Sequence, residues 1–351
     1  MRRVAEPRQV ARKGVLLAST SLIALAIASS DLRAQSAQSA QSPPPTVSAP
    51  QGQWSSWSEA GLTGHPATDP VLGLPPLGPV ANITPGGGWE GAFGFDYRLA
   101  QWSPYHINGQ FRYTQNNGGS VPASSTNAPV TLFTTSGATA AAIVDATGSG
   151  TLNAEGHWLV DFAVGRDYAL GSGEVQAMLG ARVAEITSTS SSAGNLQACL
   201  SPPGVPPGSA CTTPASGGFS FQSRSQFLGV GPRLGVAGSQ PLAGSWAFDY
   251  LGGLAVLFGN RSLDATQTLS ATTAPPLTSI AALNSSSTVG IFNLDAQAGI
   301  SYWLTPNFKL TASYRFDGYW GALTIIEPTG APGQQGRFYY GPMLRGTITF
   351  N

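Results

Sequence analysis

The sequence predicts an all-β fold, a transmembrane antiparallel up-and-down β-barrel of about ten strands. Three observations predict it: little charge, segments in which apolar and polar residues alternate, and connections that are alternately short and long. Only 10% of the 351 residues are charged, against about 25% in an ordinary soluble domain. The 15 Phe, 10 Tyr and 8 Trp residues argue against disorder. A surface that faces lipid accounts for both properties.

The N-terminal residues 1–34 are predicted to be a secretory signal peptide. A basic start precedes an apolar run over residues 15–28, and small residues follow it. Cleavage is expected near Ala34, with Ala37 as the alternative. A membrane anchor is the competing interpretation, but the run is shorter than the ~20 residues that span a bilayer. Since this segment holds six of the 17 basic and two of the 17 acidic residues, 11 basic and 15 acidic residues remain. This balance disfavours nucleic-acid binding.

The rest of the chain divides into three parts. Residues 35–52 form a low-complexity linker with three successive prolines. Residues 53–86 are an uncertain N-terminal segment, and residues 87–351 are predicted to form the barrel. Because a barrel with a periplasmic C-terminus and an even strand number needs one more strand before residue 88, residues 53–64 are the best candidate for a first strand.

Nine segments alternate apolar and polar residues, and each is expected to be a strand. In residues 104–114, for example, Ile107 and Phe111 share one face, and His106 and Arg112 share the other. The nine segments are residues 88–99, 104–114, 152–168, 174–187, 219–238, 245–260, 290–304, 308–320 and 337–350.

The connections between these segments alternate in length. They are short near residues 101, 171, 241 and 306 and long at 115–150, 188–218, 261–289 and 321–336. Short periplasmic turns and long external loops are the rule for outer-membrane barrels. The turns are flanked by aromatic residues, which predicts a girdle at one interface: Trp102, Tyr105, Tyr168, Trp246, Trp303 and Phe308. A soluble β-sandwich or lectin is the alternative, but its buried face would not carry Trp and Tyr beside each turn.

Residues 227–260 and 291–320 carry a resemblance to a known family. The most specific part is the GxGPR segment of Gly229, Gly231, Pro232 and Arg233, followed by paired glycines and LFG in the next strand. These features, mainly over residues 227–320, resemble the Legionella major-outer-membrane-protein-like family of pore-forming proteins. The resemblance implies a pore-forming barrel in the outer membrane of a Gram-negative cell and brings no catalytic residues.

The C-terminal strand ends in an aromatic residue at the penultimate position, Phe350. This resembles the terminal-strand signal of outer-membrane barrels. We therefore expect two partners, the outer-membrane lipid and the barrel-insertion machinery.

The predicted inward row carries charges of both signs. Its members are Asp96, Arg98, Arg112, Asp161, Arg182, Arg233, Asp249, Asp295, Arg315 and Asp317. These side chains either pair across strands and plug the lumen or line a narrow aqueous pore. The sequence predicts a passive pore for small solutes or ions, with a structural or adhesive barrel whose lumen is plugged as the alternative. About ten strands leave a lumen that side chains can largely fill.

Cys199 and Cys211 lie in one long connection of an exported chain. A disulfide between them is expected in an oxidising compartment, with two free thiols as the alternative. Metal binding by this pair would need two more ligands, and no histidine lies nearby in the sequence.

An outer-membrane lipid-modifying enzyme is a third possibility. His65, His106 and His157 are the three histidines, and Glu155 shares a predicted strand face with His157. A nucleophile needs a base within hydrogen-bond reach and a group that orients the base, and this proximity alone is common by chance. We therefore expect no enzymatic activity, no catalytic residues and no metal or cofactor.

Overall fold

A computed structural model describes residues 54–65, 69–72, 79–83, 86–99, 104–134, 137–200, 213–272, 277–326 and 332–350. All of them belong to one compact unit, Thr46–Asn351. The predicted signal peptide and linker lie outside the described residues, as do Trp102 and Cys211. The disulfide therefore stays a prediction. No helix among the described residues has the length and apolar character needed to cross a membrane.

The described residues form antiparallel strands. Their bounds are β1 (Trp54–Thr63), β2 (Asp69–Leu72), β3 (Pro79–Ile83), β4 (Gly88–Arg98), β5 (Tyr105–Asn117), β6 (Ser120–Thr134), β7 (Gly137–Leu170), β8 (Gly173–Leu200), β9 (Thr213–Pro241), β10 (Trp246–Thr272), β11 (Leu277–Thr305), β12 (Phe308–Ile326) and β13 (Pro332–Phe350). Strand β1 falls within residues 53–64, the candidate first strand.

Ten of these strands close into a ring. Strands β7 to β13 pair in sequence order, β13 pairs with β1, β1 with β4, β4 with β5, and β5 with β7. Strand β6 continues the line of β5 along β7, and β2 and β3 form a separate hairpin. Closure leaves no open edge in the ring, which a sheet in hydrocarbon requires because its backbone groups have no water to bind. The predicted antiparallel barrel of about ten strands is confirmed.

One end of the ring, here called the turn end, carries the short connections. Gly171 (φ 60°) and Gly244 (φ 63°) occupy the β7–β8 and β9–β10 turns. Positive φ angles at such turns favour glycine because it has no Cβ. Strands β11 and β12 are joined by the two residues between Thr305 and Phe308. The turn end is the periplasmic end in outer-membrane barrels.

At the opposite end, called the far end, the strands run on. Strand β7 has 34 residues and β8 has 28, whereas about 9–11 residues span a bilayer. The segments predicted as long loops at 115–150, 188–218 and 261–289 thus continue largely as paired strands. Two features favour this extension: each segment has a partner strand for its backbone hydrogen bonds, and the segments contain many threonines, which suit strands.

The two faces of the ring have opposite chemistry. Phe93 and Leu179 are 61% and 63% exposed on the outside. The largest fully buried side chains include the charged residues Arg112, Arg182 and Arg337. This arrangement inverts that of a soluble β-sandwich, in which charged residues are almost never fully buried unless paired. The apolar rows of the sequence therefore form the lipid-facing surface.

Candidate functional site

The lumen holds three successive levels of side chains. A polar cavity, the turn-end cavity, lies nearest the short turns. Above it lies a set of ion pairs, the charged layer, and above that a cluster of apolar residues, the apolar layer. Their composition decides whether a solute can cross the barrel.

The charged layer centres on two aspartates, each shared between arginines from different strands. Arg182 Nη2 lies 2.6 Å from Asp161 Oδ2, and Arg182 Nη1 lies 2.8 Å from Asp295 Oδ1. Arg233 contacts both carboxylates, at 3.4 Å and 3.2 Å. Arg112 adds a contact of 3.6 Å with Asp295. All these side chains are buried, so each charge depends on its partners rather than on water.

A second group completes the charged layer on the side of β1, β4 and β13. Arg315 pairs with Glu59 and with Glu90, and its Nη2 donates to Gln297 Oε1 at 2.8 Å. Arg345 Nε donates to Glu59 Oε2 at 2.9 Å. Arg315 of β12 thereby reaches β1 and β4, which are two and three strands away in the ring. Its bond to Gln297 and the Arg345–Glu59 pair join neighbouring strands.

The apolar layer fills the lumen directly above the charges. Its buried members come from β7 to β13 and are Leu159, Ala184, Ile186, Phe227, Ala255, Leu257, Ile291, Tyr319, Ala322, Leu323 and Tyr339. His157 lies at the boundary between the two layers. Its ring stacks on Tyr339 with centroids 4.6 Å apart, and its Nε2 lies 3.6 Å from Asp317 Oδ2.

The apolar layer contains a piece of chain that has left the ring. Pairing between β11 and β12 ends at Phe292–Trp320. Between β12 and β13 the register shifts so that residues 320–322 face one residue of β13. Gly321 has a φ of 70° at this point. Residues 321–326 and 332–335 are here called the inward hairpin. They bend into the lumen at this bulge, as a β-bulge allows.

Burial and contacts confirm the position of the inward hairpin. Ala322, Leu323 and Thr324 are buried in succession, whereas a strand of the wall would alternate. The backbone N–H of Thr324 donates to Ser225 Oγ of β9 at 2.9 Å. Arg261 of β10 donates to the Gly321 carbonyl at 2.8 Å. Since β9 and β10 are three and two strands from β12 in the ring, these contacts run across the lumen.

The turn-end cavity has a volume of about 290 Å³, and most of the residues that line it are polar or charged. On one wall His106 Nδ1 lies 2.6 Å from Asp96 Oδ1, and His106 Nε2 contacts Asp167. On the opposite wall Lys309 Nζ donates to Asp249 Oδ2 at 2.7 Å. Among the described residues no group of three or more His, Cys, Asp or Glu side chains is placed to hold a metal ion.

The structure places the ten predicted lumen residues at two levels. The charged layer contains Arg112, Asp161, Arg182, Arg233, Asp295, Arg315 and Asp317, and the turn-end cavity or its edge contains Asp96, Arg98 and Asp249.

Several charged residues of the lumen were absent from the predicted set: Glu59, Glu90, Glu155, Arg337 and Arg345. Of these, Glu155 and Arg337 pair with each other at the level of the apolar layer. Residues 90, 337 and 345 lie on polar rows of alternating segments, so the pattern could have identified them. Glu59 lies in a segment without clear alternation.

The pair considered for catalysis is occupied by structural contacts. Glu155 accepts hydrogen bonds from Arg337 Nε at 2.7 Å and from the Tyr339 hydroxyl at 3.0 Å. The His157 and Glu155 side chains have no exposed surface. A substrate at the barrel surface therefore has no access to them in this arrangement.

A closed ring with an apolar exterior and a charged lumen defines an outer-membrane β-barrel. The family of the Legionella pneumophila major outer membrane protein precursor matches residues 82–350. The chain belongs to this family, which extends the predicted resemblance over most of its length. A search of curated proteins finds no match.

Solved structures of other outer-membrane proteins are similar to this chain. One is the outer membrane protease OmpT of Escherichia coli, with 10% identity and a TM-score of 0.35, covering 85% of this chain and 94% of that chain. Another is a mutant of the TodX monoaromatic hydrocarbon channel, with 8% identity and a TM-score of 0.24, covering 87% and 94%. A third is OmpT, an outer membrane protein of Vibrio cholerae, with 9% identity and a TM-score of 0.19, covering 85% and 96%.

Proposed function

We propose that this protein is an outer-membrane pore for small solutes or ions, closed at rest and opened when the inward hairpin leaves the lumen. The observation that carries the proposal is the fold of that hairpin. It fills the lumen with chain that the ring does not need for closure, because β12 and β13 already pair with their neighbours below the bulge.

The levels below the hairpin provide a polar route. The turn-end cavity reaches the charged layer, and Gln297 and Arg345 line the cavity and bind residues of that layer. Because a buried ion-pair network is often no more stabilising than apolar packing of similar volume, stability alone gives little reason for charges at this level. Rings of charged side chains select ions in pores, and apolar constrictions close them. In this lumen the charged layer corresponds to the first element and the apolar layer, directly above it, to the second.

The test is single-channel recording from the refolded protein in a planar bilayer. One variant replaces residues 321–335 by an Asn-Gly turn, which suits a two-residue hairpin. Its matched control replaces residues 271–277, between the paired Ser270 and Thr278, by the same turn. We expect rare openings for the wild type and control, and an open probability at least about tenfold higher without the hairpin, equivalent to ~1.4 kcal/mol of lost preference for the closed state.

A structural or adhesive barrel with a plugged lumen is the second candidate. It is favoured by the redundancy of the charged layer, in which Arg182 and Arg233 each contact both Asp161 and Asp295. Folded but silent protein in all three forms would support this candidate and reject the pore. Equal conduction in all three would reject the hairpin as the gate.

We further propose that the protein has no enzymatic activity and that its last strand addresses it to the barrel-insertion machinery. The burial of His157 and Glu155 supports the first proposal. The second is supported by β13, which closes the ring by pairing Phe350 with Trp54 and leaves the Phe350 side chain exposed. Replacing Phe350 by Ser should reduce the amount of folded protein in the outer membrane without preventing refolding in detergent.

A further inference from the structure

The outer face of the ring carries one unusual side chain near the turn end. Among the side chains that the structure describes, the exposed charged residues are Arg166, Glu174, Arg224 and Asp264. Glu174 lines the turn-end cavity and pairs with Arg98. Arg224 and Asp264 face each other in the far-end extension. Arg166 is therefore the exposed charge of the described outer face at the turn end.

Two aromatic rings hold the Arg166 guanidinium. Its Cζ lies 5.6 Å from the ring centroid of Tyr105, its neighbour on β5, and 5.3 Å from that of Tyr168 on the same face of β7. The two tyrosines are 45% and 50% exposed. No carboxylate of the described residues pairs with this guanidinium. The cation is thus positioned by cation–π contacts, which leave its N–H groups available to a ligand.

The surroundings indicate what that ligand is. Phe162 and Val164 precede Arg166 on the outward face of β7 and are exposed, so they contact acyl chains. Tyrosines lie at the level of lipid headgroups because one end of the ring is apolar and the other is polar. A guanidinium can bind two phosphate oxygens at once. An anionic group on an acyl chain therefore fits both parts of the surface.

We propose that Arg166, Tyr105 and Tyr168 form a binding site for the phosphate of an anionic phospholipid in the turn-end leaflet. The phosphate binds the guanidinium, and an acyl chain follows Val164 and Phe162 towards the middle of the membrane. This site lies outside the lumen, so it is independent of whether the barrel conducts.

The test is native mass spectrometry of the full refolded barrel released from a non-ionic detergent. Phosphatidylglycerol and a diacylglycerol with the same acyl chains are the two probes. We expect the wild type to retain phosphatidylglycerol and not diacylglycerol. Arg166→Gln should weaken retention about tenfold, as expected for the loss of charge-assisted hydrogen bonds. The matched control is Arg224→Gln, which removes an exposed arginine from the extension and should retain the lipid.

Three results would overturn the proposal. Equal loss of the lipid from Arg166→Gln and from Arg224→Gln would mean that the lipid is held by general charge attraction. Retention of diacylglycerol as strongly as phosphatidylglycerol would remove the role of the phosphate. Displacement of the lipid by millimolar inorganic phosphate would identify a free-anion site instead. If Arg166→Gln does not fold, Tyr168→Leu is the second variant, because it keeps the charge of Arg166. It should weaken retention of phosphatidylglycerol by an intermediate amount, and unchanged retention would count against the site.

Discussion

The charged layer and the apolar layer close the same lumen in different ways. Asp317 belongs to the first and Tyr319 to the second, although they are two residues apart on β12. Every side chain of the charged layer comes from a strand in regular register with its neighbours. The apolar layer also contains Ala322 and Leu323 of the inward hairpin, which has left the ring. Only in the apolar layer can side chains therefore move out of the lumen while the strands of the ring stay paired.

The two layers also differ in what a substitution removes. Truncating one partner of a buried ion pair leaves an uncompensated charge in a medium of low polarity, which costs about 3–5 kcal/mol. Truncating a buried apolar side chain leaves a cavity, which costs about 2–5 kcal/mol. A hairpin can in addition detach locally, so that part of the lost free energy does not destabilise the ring. Substitutions in the charged layer should thus affect stability more than conductance. Substitutions in the part of the apolar layer that the inward hairpin supplies should affect conductance more than stability.

The largest loss of stability is expected for Arg182→Ala. It leaves Asp161 and Asp295 with fewer cationic partners in a buried site, so the free energy of unfolding should fall by about 3–5 kcal/mol. Urea unfolding in lipid vesicles, followed by tryptophan fluorescence, measures this change. Arg224→Ala is the control on an exposed arginine and should stay within about 0.5 kcal/mol. Similar losses for both variants would show that the charged layer is not a stabilising unit.

The next largest effect is expected for Leu323→Ala in the inward hairpin. Leu323 is fully buried in the apolar layer, so its truncation should cost about 2 kcal/mol and increase the open probability in a planar bilayer. Leu242→Ala is the control because Leu242 is exposed beside the β9–β10 turn. A loss of stability without any change in the open probability would show that the inward hairpin is not the gate.

The sequence predicts the ring and much of the charged layer for one reason. Alternation assigns each residue to a face, and pairing of adjacent segments brings the polar faces together, as for Asp295 opposite Asp317 on β11 and β12. It does not give the relative height of distant strands. The contact between Arg112 of β5 and Asp317 of β12 depends on closure of the whole ring, which no local pattern contains.

Alternation of apolar and polar residues did not predict the inward hairpin. Residues 321–336 were predicted to be a long external loop because their glycines and prolines resemble the other connections. The short apolar run over residues 322–326 was the available signal, since a strand covered on both faces need not alternate. Such a run does not say which neighbour covers it. Glu59 was missed for a related reason, because residues 53–86 do not alternate clearly.

A smaller effect is expected for Gly321→Ala, at the bulge where the hairpin turns inward. The φ of 70° disfavours a residue with a Cβ by about 1–2 kcal/mol, and the added methyl would meet the flexible Gln334 amide at 3.1 Å. Gly244→Ala is the matched control, because its φ is 63° with no atom within 4 Å of the added Cβ. Both variants should lose similar stability, measured by urea unfolding. Only Gly321→Ala should change the open probability.

The smallest change in stability is expected for Lys309→Met at the rim of the turn-end cavity. Lys309 is partly solvated and pairs with Asp249 at 2.7 Å, so its removal should cost at most about 1 kcal/mol. Its effect on ion selectivity should be larger, because the cavity loses a positive charge while Asp249, Asp167 and Asp96 remain. The test introduces Lys309→Met into the variant that lacks residues 321–335. The reversal potential in a potassium chloride gradient should then shift towards cation selectivity. Lys309→Arg keeps the charge and should leave the potential unchanged. An equal shift in both variants would mean that the side chain acts by its shape and not by its charge. No shift in either would mean that the cavity lies outside the conducting path or that its charge is screened within it.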